Sequence, residues 1–229
     1  VNEQKTEQLL LGLEHPALTQ LEHNDQTIIL HQAVVQPLKQ LMDASAKAGL
    51  DIHIVSSWRS FQHQASIWNR KWNGERAVLD KHSQPIDLTQ LSDHEKFKSI
   101  AFWSAVPGTS RHHWGTDFDL FLQALVKKGY SVQLVPEEFA AGGPCESLEC
   151  WLQENLGQFE FFRPYQTYRG GVAHEPWHIS YRPVSEPLLK NVEAKSIASQ
   201  LMLQDVQGKQ TITAALDDYL ERYVFNIDD

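Results

Sequence analysis

The chain has 229 residues, with 41% hydrophobic, 10% aromatic and 21% charged side chains. These are globular values, and they exclude disordered, collagen-like and coiled-coil classes. Twenty Lys and Arg against 29 Asp and Glu leave a formal charge of −9, which argues against nucleic acid or an anionic membrane as the main partner.

Residues 3–13 read as a short helix ended by His15-Pro16. Residues 31–48 place Val34, Val35, Leu38, Leu41 and Met42 at helical spacing, with Pro37 near the first turn and Gly49 as C-cap. Alternation over Ile52–Ser57 predicts a strand, and Phe61, Ala65 and Trp68 share one side of a helix over 60–72. Ser92 and Glu95 form a capping-box pattern that starts a helix over 92–104, and Pro107-Gly108 ends it. A loop SRHHWG then leads into a strand TDFDLFL. Gly129–Val135 is read as a further strand, 146–156 as a short helix, and HEPWHISYRP as running into a strand. Residues 186–204 and 211–223 read as two amphipathic helices.

The predicted class is α+β, a central mostly antiparallel sheet flanked by helices with a C-terminal helical extension. The expected organisation is an N-terminal helical segment over 1–48 packed on the core, a core over 49–183 and a helical extension over 184–229. No apolar run approaches the roughly 18 residues a membrane span needs. No basic-then-apolar segment opens the chain. With Val1 near the native start a cytoplasmic protein is expected; with a removed signal, a periplasmic one. The cysteines, Cys145 and Cys150, read as free thiols, or as a local disulfide in an exported protein.

Two histidine clusters carry the chemistry. In the first, Ser110-Arg-His112-His113-Trp-Gly115-Thr-Asp117-Phe-Asp119, Gly115 permits a sharp turn, and Asp117 and Asp119 share a face of the strand. A loop histidine and a strand aspartate can then converge on a metal, although a polar loop beside a strand gives the same pattern. The second, His174-Glu175-Pro176-Trp177-His178, has two readings. As a helical H-E-x-x-H site it pairs His174 with His178, with Glu193 as a third ligand. Pro176 and the β-type continuation oppose a long helix there. As a strand entry it makes His178 the third ligand and Glu175 the base that takes a proton from water and returns it to the leaving amine. Three ligands with one position left open is the pattern of a catalytic zinc site.

SRHHWGTDFD fits S-x-H-x-x-G-x-x-x-D, EPWH fits E-x-W-H, and SSWRSFQHQ resembles Y-R-S-x-x-x-Q with Trp58 in place of Tyr. Together, over about residues 50 to 183, they resemble the D-alanyl-D-alanine carboxypeptidase family of zinc peptidases, which includes VanY-type enzymes, L,D-carboxypeptidases and phage endopeptidases. The resemblance implies one zinc ion held by His112, Asp119 and His178, with Glu175 as catalytic base. It implies that Arg59 steadies the substrate carbonyl or the tetrahedral intermediate, and that Gln64 and Ser110 contact the C-terminal end of the substrate. It selects His112 over His113, which reads as an outward loop residue or a group behind the ligands. His174 is expected to line the cleft. Asp117 stands where the family has a small residue, and either adds charge near the metal or hydrogen-bonds a ligand. Trp114, Trp151 and Trp177 read as core or cleft-wall aromatics.

The expected function is removal of C-terminal D-alanine from peptidoglycan stem peptides or muropeptides. L,D-cleavage of tetrapeptides in wall recycling is favoured, because a cytoplasmic D,D-enzyme would destroy pentapeptide precursors. The alternatives are D,D-cleavage of pentapeptides, an endopeptidase, and a zinc-binding interaction module without catalysis. A pure binding module needs neither Glu175 nor Arg59, and both are present.

Overall fold

The structure, a computed structural model, describes residues 3–229; Val1 and Asn2 of the expected N-terminal segment lie outside the described residues. Helix α1 (Glu3–Leu10) leads into strands β1 (Leu18–His23) and β2 (Gln26–His31), which form an antiparallel hairpin. The N-terminal stretch is therefore not wholly helical. Asn24 and Asp25 hold positive φ at the hairpin turn, which is the chemistry of a tight primed turn. Helix α2 (Val35–Lys47) follows with Leu38, Leu41 and Met42 buried, as its spacing predicts.

The main sheet is built from β3 (Ile52–Ser56) and three later strands. Between them lie α3 (Phe61–Trp72), the short pair β4 (Val78–Leu79) and β5 (Pro85–Ile86), and α4 (Asp93–Ala101). Ser60 caps α3 through the His63 amide, and the Ser92–Glu95 capping box that opens α4 is formed. Strand β6 (Asp117–Leu122), helices α5 (Gln123–Lys127) and α6 (Glu146–Asn155), and strands β7 (Phe161–Phe162) and β8 (His178–Tyr181) complete this part. The sheet order is β3-β6-β8-β7, with every pair antiparallel.

Residues 129–135 are not a strand. Leu134 has a left-handed φ of 54°, and the Gln133 and Val135 amides both donate to the Glu138 carboxylate. The segment wraps around that side chain instead of joining a ladder.

The C-terminal extension is also more broken than its pattern predicts, giving α7 (Arg182–Leu189), α8 (Ala194–Leu203), α9 (Lys209–Ala214) and α10 (Leu216–Tyr219), followed by a wide turn over Leu220–Val224. These helices share a hydrophobic core with α3 and α4, in which Phe61, Trp68, Phe97 and Ile100 pack with Ile197, Leu201, Ile212 and Tyr219. A second core lies under the sheet and includes Leu38, Ile52, Phe118, Leu120, Leu148 and Ile179. The Tyr219 hydroxyl accepts from the Val106 amide at 3.0 Å, so the extension reaches back to the loop that leads into Ser110. No helix among the described residues is long and apolar enough to cross a membrane.

Candidate active site

The register of the sheet brings the site together. Asp119 on β6 lies directly opposite His178 on β8, so their side chains leave the same face. His112 arrives from a tight 3₁₀ turn over Arg111–Trp114, which ends at Gly115 with φ 68°. A Cβ on Gly115 would lie 2.6 Å from the His31 amide nitrogen, so the turn needs glycine to pass the hairpin. His112, Asp119 and His178 are all buried, and one ligand atom from each lies within 4.8 Å of the others. His112 Nε2 is 3.2 Å from Asp119 Oδ2, and His178 Nδ1 is 3.2 Å from Asp119 Oδ1.

The far nitrogens fix which atoms face inward. His112 Nδ1 lies 3.1 Å from the Ser57 carbonyl, to which it donates, leaving Nε2 as the free lone pair. His178 Nε2 lies 3.0 Å from Asp117 Oδ1, leaving Nδ1 toward Asp119. Asp117 therefore hydrogen-bonds a ligand, the second of the two roles expected for it. It is held in turn by Arg111 Nε at 2.7 Å, the Thr116 hydroxyl and the Ser180 hydroxyl. Burial alone would raise the Asp117 carboxyl, but Arg111 and His178 hold it well below the usual range. Burial alone would lower His178, yet the carboxylates of Asp117 and Asp119 push it up to about 9.

The donor set fits a divalent cation. Asp119 Oδ1 is buried with no hydrogen-bond partner, although His178 Nδ1 faces it. Two imidazoles and one carboxylate suit zinc in its catalytic, three-ligand form. Burial lowers the His112 pKa, which keeps that ring neutral as a ligand must be, whereas His178, raised by its carboxylates, would release its Nδ1 proton on taking up a cation.

Glu175 stands beside this set and is not part of the metal-holding group. Its Oε2 is 3.5 Å from His178 Nδ1, and burial pushes its carboxyl up to about 8. A bound cation would draw that value down again. Residues 174–177 form an open segment and a turn before β8, so the helical H-E-x-x-H reading fails. His174 does not line the cleft. Its Nδ1 lies 3.3 Å from the Tyr165 carbonyl, and its ring lines a separate pocket with Glu149 and Cys150. Glu193 is exposed at the start of α8. Both cysteines are free.

Arg59 reaches the metal end of the cleft, with Nη2 at 4.0 Å from Asp119 Oδ2. Its Nη1 donates to Gln64 Oε1 at 2.7 Å and its Nη2 to Ser56 Oγ at 2.8 Å. Gln64 is fully buried, and its Nε2 donates to the Ala105 carbonyl at 2.6 Å. The structure thus places Gln64 beneath Arg59, as the group that aims the guanidinium, and not among the residues that line the cleft. Ser110 does line the cleft, a cavity of about 340 Å³ that also takes in Lys71, Arg76, Trp103, Tyr165 and Trp177. Sequence reasoning missed Lys71 and Tyr165. Lys71 sits seven residues after Gln64 on the same helix face, a signal available in the sequence.

His113 is buried and not outward. Its Nδ1 lies 2.6 Å from the Arg59 carbonyl, and Nε2 accepts from the Gly108 amide at 3.0 Å. Gly12 covers it, where a Cβ would meet the ring at 2.3 Å. Burial pushes His113 down from 6.5 to about 3. As pH falls below 6.5 the unfolded chain gains a proton that the folded chain refuses until about pH 3. The sign is a loss of stability on acidification, roughly 1.4 kcal/mol per pH unit within that window. Urea unfolding between pH 7 and 4.5 should therefore show a flatter stability profile for His113→Gln than for the parent chain. Parallel profiles would contradict this.

The family model of the D-alanyl-D-alanine carboxypeptidases, VanY, matches residues 27–184. A Haemophilus influenzae protein of unassigned function is 32% identical over 121 residues, covering 52% of this chain and 92% of that one. An Enterococcus faecalis D-alanyl-D-alanine carboxypeptidase is 27% identical over 147 residues, covering 63% of this chain and 45% of that protein. The solved structure of the LdcB LD-carboxypeptidase is similar in fold, with a TM-score of 0.53 at 18% identity, covering 93% of this chain and 81% of that one.

Proposed function

The chain belongs to the VanY family of D-alanyl-D-alanine carboxypeptidases, and from that premise we propose that it is a zinc-dependent enzyme removing the C-terminal D-alanine from peptidoglycan stem peptides. One observation carries this reading: His112, Asp119 and His178 converge in one cleft with Glu175 and Arg59 beside them. An interaction module would have no use for the last two.

Zinc, when bound, supplies a Lewis acid that polarises the scissile carbonyl and makes water acidic near neutral pH. The residues of the chain do the rest. Glu175 takes the proton of the attacking water, and its burial suits it to hand that proton to the leaving amine. Arg59, fixed by Gln64 and Ser56, presents its guanidinium where negative charge grows on the carbonyl oxygen. Asp117 holds His178 in the tautomer that leaves Nδ1 facing inward. Ser110 offers a hydroxyl to the substrate from the cleft wall.

We favour the tetrapeptide, and hence L,D-cleavage. Exposed Arg76, with Gln133 and Leu134, also lines the cleft, which supports a long, ionised diamino acid before the cut. The pentapeptide offers only a D-alanine methyl at that place. D,D-cleavage is the second reading, favoured by the name of the Enterococcus relative. Digestion of defined tetra- and pentapeptide stems with mass analysis of the products separates them. Loss of one alanine from the tetrapeptide alone is the expected result. Loss from the pentapeptide alone would overturn the L,D assignment, and fragments longer than one residue would overturn the carboxypeptidase.

A further inference from the structure

We propose that Lys71, a residue outside the three sequence motifs, is the counter-charge for the terminal carboxylate of the substrate. The assignment rests on the exopeptidase reading above. An exopeptidase must recognise a free carboxylate, and the motif residues leave that group without a dedicated cation. Arg59 is committed to the metal end, tied to Gln64 and Ser56 and 4.0 Å from Asp119. Both ends of the Gln64 amide are used inside the protein. Ser110 offers a hydroxyl but no charge. Arg111 lines the cleft, but its charge is paired with Asp117 through Nε and its Nη2 is held by Ser180, which leaves only a buried Nη1 without a partner.

Lys71 is only 8% exposed, and it lines the same cleft. Its Nζ donates to Ser104 Oγ at 2.6 Å, and among the described residues no carboxylate pairs with it. An ammonium carries three donors, so two remain for a ligand. Burying a cation is costly, and here desolvation with the nearby Arg76 and Arg59 outweighs the pull of the Glu175 carboxylate and pushes Lys71 down to about 8. An entering carboxylate relieves that cost. The whole chain carries a surplus of nine negative charges, yet the acids lining this cleft are only the ligand Asp119 and the base Glu175. The local surplus of cations therefore runs against the composition of the protein. On α3, Lys71 lies two turns beyond Gln64, about 10 Å along the axis, and it lines the same cleft as Arg59.

The test compares a stem peptide ending in a free carboxylate with its C-terminal amide, on the zinc-loaded protein. Turnover is measured for the active chain, and binding by calorimetry in a Glu175→Ala background. The parent chain should prefer the free acid by about tenfold or more, the scale of one charge-assisted hydrogen bond. Lys71→Met should bring the ratio close to one by raising KM and Kd for the acid while leaving the amide unchanged. Lys71→Arg should keep most of the preference. A Lys71→Met protein that retains the parent ratio overturns the assignment. So does one that weakens acid and amide equally, because Lys71 would then touch another part of the substrate. A parent chain indifferent to the amide would refute the exopeptidase reading itself, a result distinct from either.

Discussion

Replacing Glu175 with alanine is expected to lower turnover by about 10² or more while fold and metal content stay intact. The geometry separates the two roles. Glu175 supplies no atom to the metal-holding group, so its removal leaves His112, Asp119 and His178 in place. The Glu175 backbone amide, which donates to the Tyr165 carbonyl at 3.0 Å, is untouched by the change. The lost carboxyl is buried and raised to about 8 by that burial, and its one ionic contact, to His178 Nδ1 at 3.5 Å, is long, so the fold is expected to persist without it. What disappears is the proton acceptor for the attacking water and the donor for the leaving amine. Steady-state kinetics on the preferred stem peptide, with metal analysis and a thermal melt, check all three parts. A variant that turns over at near the parent rate would remove Glu175 from the mechanism. A variant that loses its metal would make it a ligand.

The parts of this site that could be read from the chain were those governed by local spacing. Ser60 and Ser92 announce helix starts through their capping geometry, and both helices begin there. The loop–strand pattern around His112 and Asp119 holds because Gly115 permits one turn between them. The β1–β2 hairpin is signalled only by Asn24-Asp25 at its turn, because its strands LTQLEH and QTIILH lack a clear alternation. Other features depend on tertiary register. Spacing alone puts Asp117 and Asp119 on one face, but only the pairing of β6 with β8 sets Asp119 opposite His178 and Asp117 within reach of its outer nitrogen. Adjacent histidines look alike in a sequence. Only packing under Gly12 buries His113 and assigns it to bracing the Arg59 loop. Gln64 fits a substrate-contact motif, but it is fully buried and spends its amide on Arg59 and the Ala105 carbonyl, which only the tertiary packing reveals.

The central claim is that these three residues, and not the two histidines of H-E-x-x-H, hold the metal. It bears on everything else, because the roles of Glu175, Asp117 and Arg59 follow from where the cation sits. Removing one of three ligands leaves a site with two, and the effect should exceed the 10- to 100-fold loss typical of groups that merely support a ligand, so it should appear as near-complete loss of metal. His174 contacts the Tyr165 carbonyl and lines another pocket, so its removal should cost no metal. The deciding measurement is the zinc content of purified, dialysed protein for the parent chain, His112→Ala and His174→Ala. The account predicts one zinc per chain for the parent and for His174→Ala, and essentially none for His112→Ala. Zinc retained by His112→Ala and lost from His174→Ala would contradict it.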